Sequence, residues 1–326
     1  MAAPLDQSVS SGPAWPMGYL TTFGPRADPA TSLTWGLMDI SIAVIVIVTA
    51  LVAVGAMLRR QKAADVMPAA GPGAKGGLTW IAVGSAITVV ALLVALIWTV
   101  QVLAEVDSPA RKPTLTIEVT GHQWWWEARY RTADPSQTFV TANELHIPVG
   151  QPVRLRLASA DVIHSFWVPA LTGKTDTIPG RVNVGWMQAD RTGVYRGQCT
   201  EYCGEEHAKM ALYVVAEPER QFETWRVTQL ASAPETSFLP GQAIFEARCG
   251  ACHTLRGTSA GGIVGPDLTH LMSRSTIASG ILPNDTASLA GWISNPQALK
   301  AGSAMPATNL NGTQLNQVVA YLETLK

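Results

Sequence analysis

The sequence predicts a multidomain chain: a two-helix transmembrane hairpin, then an all-β sandwich or barrel, then an all-α domain. Three observations predict it. Two long stretches, Ile40–Leu58 and Leu78–Ala104, hold no charged residue. Short runs of alternating apolar and polar residues follow, broken by Pro, Gly, Asp and Asn. From Pro240 onward the apolar spacing becomes helical. The 326 residues suit two or more domains. Only 14% of residues are charged, and mean hydropathy is +0.16, which fits a partly membrane-embedded protein. A net charge of −1 gives nucleic-acid binding no electrostatic support.

Residues 1–34 are rich in Pro, Gly, Ser and Ala and read as an irregular extracytoplasmic arm. No basic segment followed by an apolar core is visible in it, so a cleaved leader and insertion by the first helix both stay open. Residues 35–106 form the hairpin. Each charge-free stretch is long enough to cross about 30 Å of hydrocarbon at about 1.5 Å per residue. Soluble core helices rarely run so long without charge. The connection holds Arg59, Arg60, Lys62 and Lys75 against one acid, Asp65. The positive-inside rule makes it cytoplasmic and places everything after Glu105 outside.

Residues 107–230 carry the β pattern. Thr114–Thr120 alternates, and so does Pro152–Leu157, with Arg154 and Arg156 turned from the apolar face. Asn183–Met187 and Ala211–Val215 are further short runs, which together predict an antiparallel sandwich or barrel. Phe222–Leu230 reads as a helix, and residues 231–238 as a polar linker. Residues 239–326 form the helical domain, with helices over Gly241–Arg248, Thr286–Ser294 and Thr313–Leu325. Leu315, Val318, Val319 and Leu322 make one apolar stripe on the last.

The four cysteines form two close pairs, Cys199/Cys203 and Cys249/Cys252, unlike a disulfide framework. The first pair lies with His207 and Met210 inside twelve residues, and His164 stands in an earlier loop between two strands. Thiolates with imidazole select copper or zinc over hard cations. Two thiolates can bridge two copper ions, each with one imidazole. Met210 and the Glu201 carbonyl then serve as weak axial ligands. A Cys2His2 zinc site is the alternative, disfavoured by the methionine and by the spacing. His122 and His146 read as structural.

These residues resemble subunit II of heme–copper cytochrome c oxidases over Ile40 to about Trp225. The resemblance rests on Gly-His-Gln-Trp-Trp-Trp at 121–126, Asp-Val-Ile-His-Ser-Phe at 161–166, Lys-Thr-Asp-Thr-Ile-Pro-Gly-Arg at 174–181, and Gly-Gln-Cys-Thr-Glu-Tyr-Cys-Gly-Glu-Glu-His-Ala-Lys-Met at 197–210. It implies a cupredoxin-like domain holding a dinuclear copper centre, CuA, on His164, Cys199, Glu201, Cys203, His207 and Met210. It also implies a magnesium or manganese ion on the Glu201 side chain at the boundary with subunit I, and Trp124 as the electron-input residue. Three adjacent tryptophans in a strand cannot all face a core, so at least one is expected to be exposed. Many relatives carry an acid near the start of the second helix, at the mouth of a proton path. Here that stretch, from Lys75 to Trp80, has none.

Cys249-Gly-Ala-Cys252-His253 is a c-type heme attachment motif, with His253 as one axial ligand. The order of motifs from Pro240 resembles small class I cytochromes c. That resemblance implies Met305 as the second axial ligand and the Pro266 carbonyl as partner of the His253 ring. Met272 and His270 are rival ligands without a Met-Pro context. A His/Met pair suits electron transfer.

Together the resemblances imply a bacterial inner-membrane protein of two spans with copper and covalent heme c on the periplasmic side. Electrons would pass from a cytochrome c or a cytochrome bc-type complex through heme c and CuA to subunit I, with subunit III and lipid as further neighbours. The tether raises the effective concentration of donor at acceptor. A CuA-type nitric oxide reductase subunit and a membrane-tethered copper-binding or assembly protein are the competing readings. A quinol-oxidase subunit is weaker still, because its relatives lack the copper ligands.

Overall fold

A computed structural model of the protein describes residues 17–62, 74–234 and 240–326. Residues 1–16 of the N-terminal arm, residues 63–73 of the hairpin connection and residues 235–239 of the linker lie outside the described residues, while Arg59, Arg60, Lys62 and Lys75 fall within the two helices. The described chain divides into two compact units, residues 29–108 and the remainder.

The first unit is the hairpin. Helix α1 spans Asp28–Lys62 and α2 spans Ala74–Asp107. Helix α1 begins within the segment expected to be irregular. Asp28 stands in its first turn, where an acid complements the helix dipole, and Pro29 follows, where a missing N–H is harmless. Each helix contains a 31-residue span, within which an 18-residue stretch has mean hydropathy 2.8 in α1 and 2.6 in α2. Large apolar side chains stand exposed along both, from Ile40 to Leu58 and from Leu78 to Leu103. That surface suits lipid and neighbouring membrane chains.

The second unit begins with ten strands. They are β1 (Leu115–His122), β2 (Trp125–Arg131), β3 (Phe139–Ala142), β4 (Glu144–Pro148), β5 (Val153–Ser159), β6 (His164–Trp167), β7 (Thr175–Thr177), β8 (Asn183–Met187), β9 (Gly193–Cys199) and β10 (Ala211–Glu217). They form two five-stranded sheets, ordered β3-β2-β1-β5-β8 and β4-β10-β9-β6-β7. The sheets share one apolar core, to which Ile117, Leu155, Leu157, Phe166, Leu212 and Val214 contribute. The sandwich is mixed, not antiparallel throughout: β1 pairs with β5, and β4 with β10, in parallel. Each parallel pair is joined through intervening strands, the long connection that parallel pairing requires. On β5, Val153, Leu155 and Leu157 are buried while Arg154 and Arg156 are exposed, and Arg156 reaches Glu118 at 3.1 Å.

Helix α3 (Glu219–Leu230) closes the core, with Trp225 stacked on His146 at 4.1 Å between ring centres. Then come α4 (Pro240–Arg248), a short ribbon of β11 (Thr276–Ile277) and β12 (Leu282–Pro283), α5 (Thr286–Ser294), α6 (Pro296–Leu299) and α7 (Gly312–Leu322). Asp285 caps α5 by accepting from Ser288 N at 2.7 Å, and Asn311 with Gln314 makes a capping box on α7. Phe245, Leu289, Ile293, Val318, Val319 and Leu322 form a second core. The predicted stripe on α7 is therefore the face that packs.

Candidate metal centres

His164 opens strand β6, pairing with Thr177, rather than lying in a loop. The local alternation continues through Ser165 and Phe166, so the strand starts at the histidine. Cys199 ends the neighbouring strand β9. The chain then turns through Glu201 and Cys203 into a single 3₁₀ turn at His207–Lys209 and enters β10 at Ala211. This fold brings all six predicted donors together. The sulfurs of Cys199 and Cys203 are 3.8 Å apart. His164 Nδ1 is 4.0 Å from Cys199 Sγ, and His207 Nδ1 is 3.5 Å from Cys203 Sγ. The Glu201 carbonyl is 3.3 Å from Cys199 Sγ, and Met210 Sδ is 3.8 Å from Cys203 Sγ. One imidazole lies against each thiol, with a carbonyl and a thioether outside them.

The electrostatics suit a cation. The hydrogen bond between the thiols pulls Cys199 down to about 4 and pushes Cys203 up, burial adding to the rise. One sulfur is readily a thiolate and the second resists a like charge beside it, so a positive ion is what lets both ionise. Burial opposes protonation of His164, but hydrogen bonds with Cys199 and Asp161 raise its pKa. The set of soft sulfur, imidazole and carbonyl fits copper, and His164, Cys199 and Cys203 form a buried group able to hold a metal ion.

Three supporting contacts were not visible in the sequence reading. Asp161 Oδ1 lies 2.7 Å from His164 Nε2, orienting the ring. Gln123 Nε2 and Trp124 Nε1 donate to the Cys203 carbonyl at 2.7 and 2.9 Å. Asp161 sits three residues before His164, a spacing that could have been noticed. The other two partners are about eighty residues away and leave no local signal.

None of the three tryptophans is exposed. Trp126 is in the core, Trp125 is half-buried and stacks on His122 at 4.3 Å, and Trp124 is only 8% exposed. The expectation of an exposed ring fails because the C-terminal domain covers it. The Trp124 carbonyl accepts from Ser279 Oγ at 2.8 Å and from Lys300 Nζ at 2.6 Å. His146 is held between Glu217 at 2.8 Å and Glu144 at 3.4 Å, a structural position.

In the C-terminal domain, α4 leads into Cys249, Cys252 and His253. These three, with Met305, line one cavity of about 300 Å³. Its walls include Phe245, Leu268, Leu289, Ile293 and Leu322, an apolar slot suited to a porphyrin plane. His253 Nδ1 lies 2.8 Å from the Pro266 carbonyl, leaving Nε2 for a metal. The close approach depends on Gly265, where a Cβ would fall 2.6 Å from the ring. Gln297 donates to the Met305 carbonyl at 2.7 Å and fixes its loop. His270 faces the Lys326 and Ala231 carbonyls instead, and neither it nor Met272 lines the cavity. Trp124, Trp125, Gln123 and Asn143 of the β domain also line it. Val264, 62% exposed, is also part of its lining, and the adjacent Ile263 is 83% exposed.

Residues 131–217 match the family model described as cytochrome C oxidase subunit II, periplasmic domain, and residues 238–326 match cytochrome c. The chain is 39% identical over 218 residues to cytochrome c oxidase subunit 2 of Alkalihalophilus pseudofirmus, covering 65% of this chain and 62% of that protein. It is 33% identical over 235 residues to the subunit 2 of Bacillus sp. strain PS3, covering 68% and 65%. The chain thus spans somewhat less than two thirds of these relatives. The crystal structure of the periplasmic domain of subunit II of cytochrome oxidase (CoxB) of Bradyrhizobium japonicum is 34% identical, covering 37% of this chain and 96% of that one, with a TM-score of 0.35. With copper-type donors in one domain and a heme-type slot in the next, the chain is similar to cytochrome c oxidase subunit II over residues 131–217 and to cytochrome c over residues 238–326.

Proposed function

We propose that this chain is the electron-input subunit of a terminal respiratory oxidase. His164, Cys199, Cys203, His207, Met210 and the Glu201 carbonyl would hold the dinuclear copper. Cys249 and Cys252 would bind heme c covalently, with His253 and Met305 as axial ligands and Pro266 orienting His253. When bound, each group takes up and releases single electrons. The protein's part is to hold its donors rigidly on two packed sheets, so that little rearranges as charge comes and goes. The proposed route runs from an external donor, a cytochrome c or cytochrome bc-type complex, to the heme site, then the copper site, then subunit I. There oxygen would be reduced to water with proton pumping, and subunit III would complete the assembly in the inner membrane.

The observation that carries this reading is the convergence of six copper donors beside a heme slot whose wall includes Trp124. The proposed domain limits follow it: arm 1–34, hairpin 35–106, copper domain 107–230, linker 231–238 and heme domain 239–326. The Glu201 carboxylate lies 3.5 Å from Lys174 Nζ and would have to exchange that partner for magnesium or manganese.

The test is an optical and EPR spectrum of the purified complex with oxygen-uptake and nitric-oxide-consumption assays. A mixed-valence copper signal, a six-coordinate heme c and oxygen uptake are expected. Nitric oxide consumption alone would favour a reductase, and freely exchanging copper without the mixed-valence signal a metal-delivery protein. Cys199→Ser should abolish the copper signal and leave the heme signal unchanged.

A further inference from the structure

We propose that Lys300 is a clasp that holds the heme domain in register on the copper domain, making Trp124 an internal contact between the two centres rather than a landing face for an outside donor. The inference rests on the electron route proposed above.

Lys300 is only 3% exposed, and its side chain crosses the boundary between the domains. Its Nζ donates to the Trp124 carbonyl at 2.6 Å, the Lys209 carbonyl at 2.8 Å and the Ala278 carbonyl at 3.4 Å. An ammonium has three N–H groups, and three carbonyls receive them. Two of the three belong to the copper domain. Lys209 answers in the other direction, with Nζ on the Leu299 carbonyl at 2.9 Å. The pair of lysines therefore stitches the stretch between His207 and Met210 to the stretch that leads into Met305.

The clasp acts close to both centres. Gly302, at a φ of +73°, turns the chain over the Trp124 ring, where a Cβ would sit 3.5 Å from it. Met305 follows three residues later and lines the heme cavity. On the other side, the Trp124 indole donates to the Cys203 carbonyl. Ser279 adds a second seam, giving its hydroxyl to Trp124 and accepting from Ala211 N at 3.1 Å. Burial draws the Lys300 ammonium down to about 7, and the three carbonyls offset part of its lost hydration. Docked, each carbonyl on which it rests is satisfied. With the lysine removed, docking leaves the Lys209 carbonyl dry and the Trp124 carbonyl with one partner fewer, so the open arrangement gains population.

The test uses the purified membrane complex, wild type and with Lys300→Met or Lys300→Gln, loaded with both cofactors. Amide hydrogen exchange is followed over residues 122–126, 207–213 and 276–282. We expect Lys300→Met to speed exchange there by about tenfold or more, with Lys300→Gln in between, while copper and heme spectra stay unchanged. Heme-to-copper transfer after photoreduction of the heme should slow by about tenfold and become viscosity-dependent. Unchanged exchange with both spectra intact would overturn the clasp. Lys300 also lines the heme cavity, so loss of heme from both variants would overturn the clasp as well, by showing that the lysine holds the heme and not the domain contact. If the wild type shows no heme-to-copper transfer, the electron route fails, and the exchange comparison still decides the clasp.

Discussion

At the residue scale, the proposed copper donors are set by what lies behind them. Asp161 holds His164 Nε2 at 2.7 Å and so aims Nδ1 at Cys199. Asp161→Ala should weaken copper binding by about 10- to 100-fold without removing a ligand, measured by competition with a chelator. Trp124→Phe should leave copper bound, because the Cys203 carbonyl keeps Gln123 as donor at 2.7 Å, yet it should shift the copper spectrum. The proposed donors could be singled out in the sequence because two thiols, an imidazole and a thioether within twelve residues have few other uses. Their supports could not, since an aspartate or a glutamine carries no such signature until the sheets bring it close.

At the element scale, the turn through Gly265 and Pro266 positions His253. A Cβ at Gly265 would meet the imidazole at 2.6 Å. Gly265→Ala should therefore push the turn away, lengthen the contact to the Pro266 carbonyl and destabilise the domain by about 1–3 kcal/mol, the usual penalty of overpacking. A thermal melt and a redox titration would show a lower midpoint temperature and a shifted heme potential. The elements themselves were largely readable. Charge-free length gave the hairpin, period two gave β1 and β5, and the Leu315–Leu322 stripe gave α7. The parallel pairing of β1 with β5 and of β4 with β10 was not, because alternation tells which face is buried and not which neighbour a strand takes. Helix α1 starts earlier than its apolar run because Asp28 and Pro29 begin it, not the hydrophobic residues.

At the scale of the whole molecule, a buried acid–imidazole cluster stands where the two domains meet. His146 lies between Glu217 and Glu144, and Glu144 also accepts from Ser275 N at 2.9 Å and from its hydroxyl. Burial works against charge on both residues. Even so, the two carboxylates raise the His146 pKa above its ordinary 6.5, and bonds to His146 and Ser275 lower that of Glu144. The stabilisation from His146 is fully present below 6.5 and fades as pH rises through its raised value. That from Glu144 is present above its ordinary 4.5 and fades as pH falls through its lowered value. Thermal stability should peak between these limits, and His146→Gln should flatten its alkaline side. The domain contact was invisible in the sequence, because Trp124 and Lys300 are 176 residues apart. Charge offers an outside donor little guidance, since the heme domain carries four acids and five bases, two of which, Arg274 and Lys300, are buried. Reduction of the heme should change little with ionic strength, as stopped-flow traces at two salt concentrations would show.

The 3.8 Å between Cys199 and Cys203 also has a consequence in time. Before any metal arrives, two thiols this close are one oxidation away from bonding to each other. Once joined they cannot ligate. On the copper reading proposed above, loading the site is a race between metallation and oxidation, and the order of events matters as much as affinity. Metal-free protein exposed to a mild oxidant should refuse copper until a thiol reductant is supplied, and protein loaded first should be indifferent to the same oxidant.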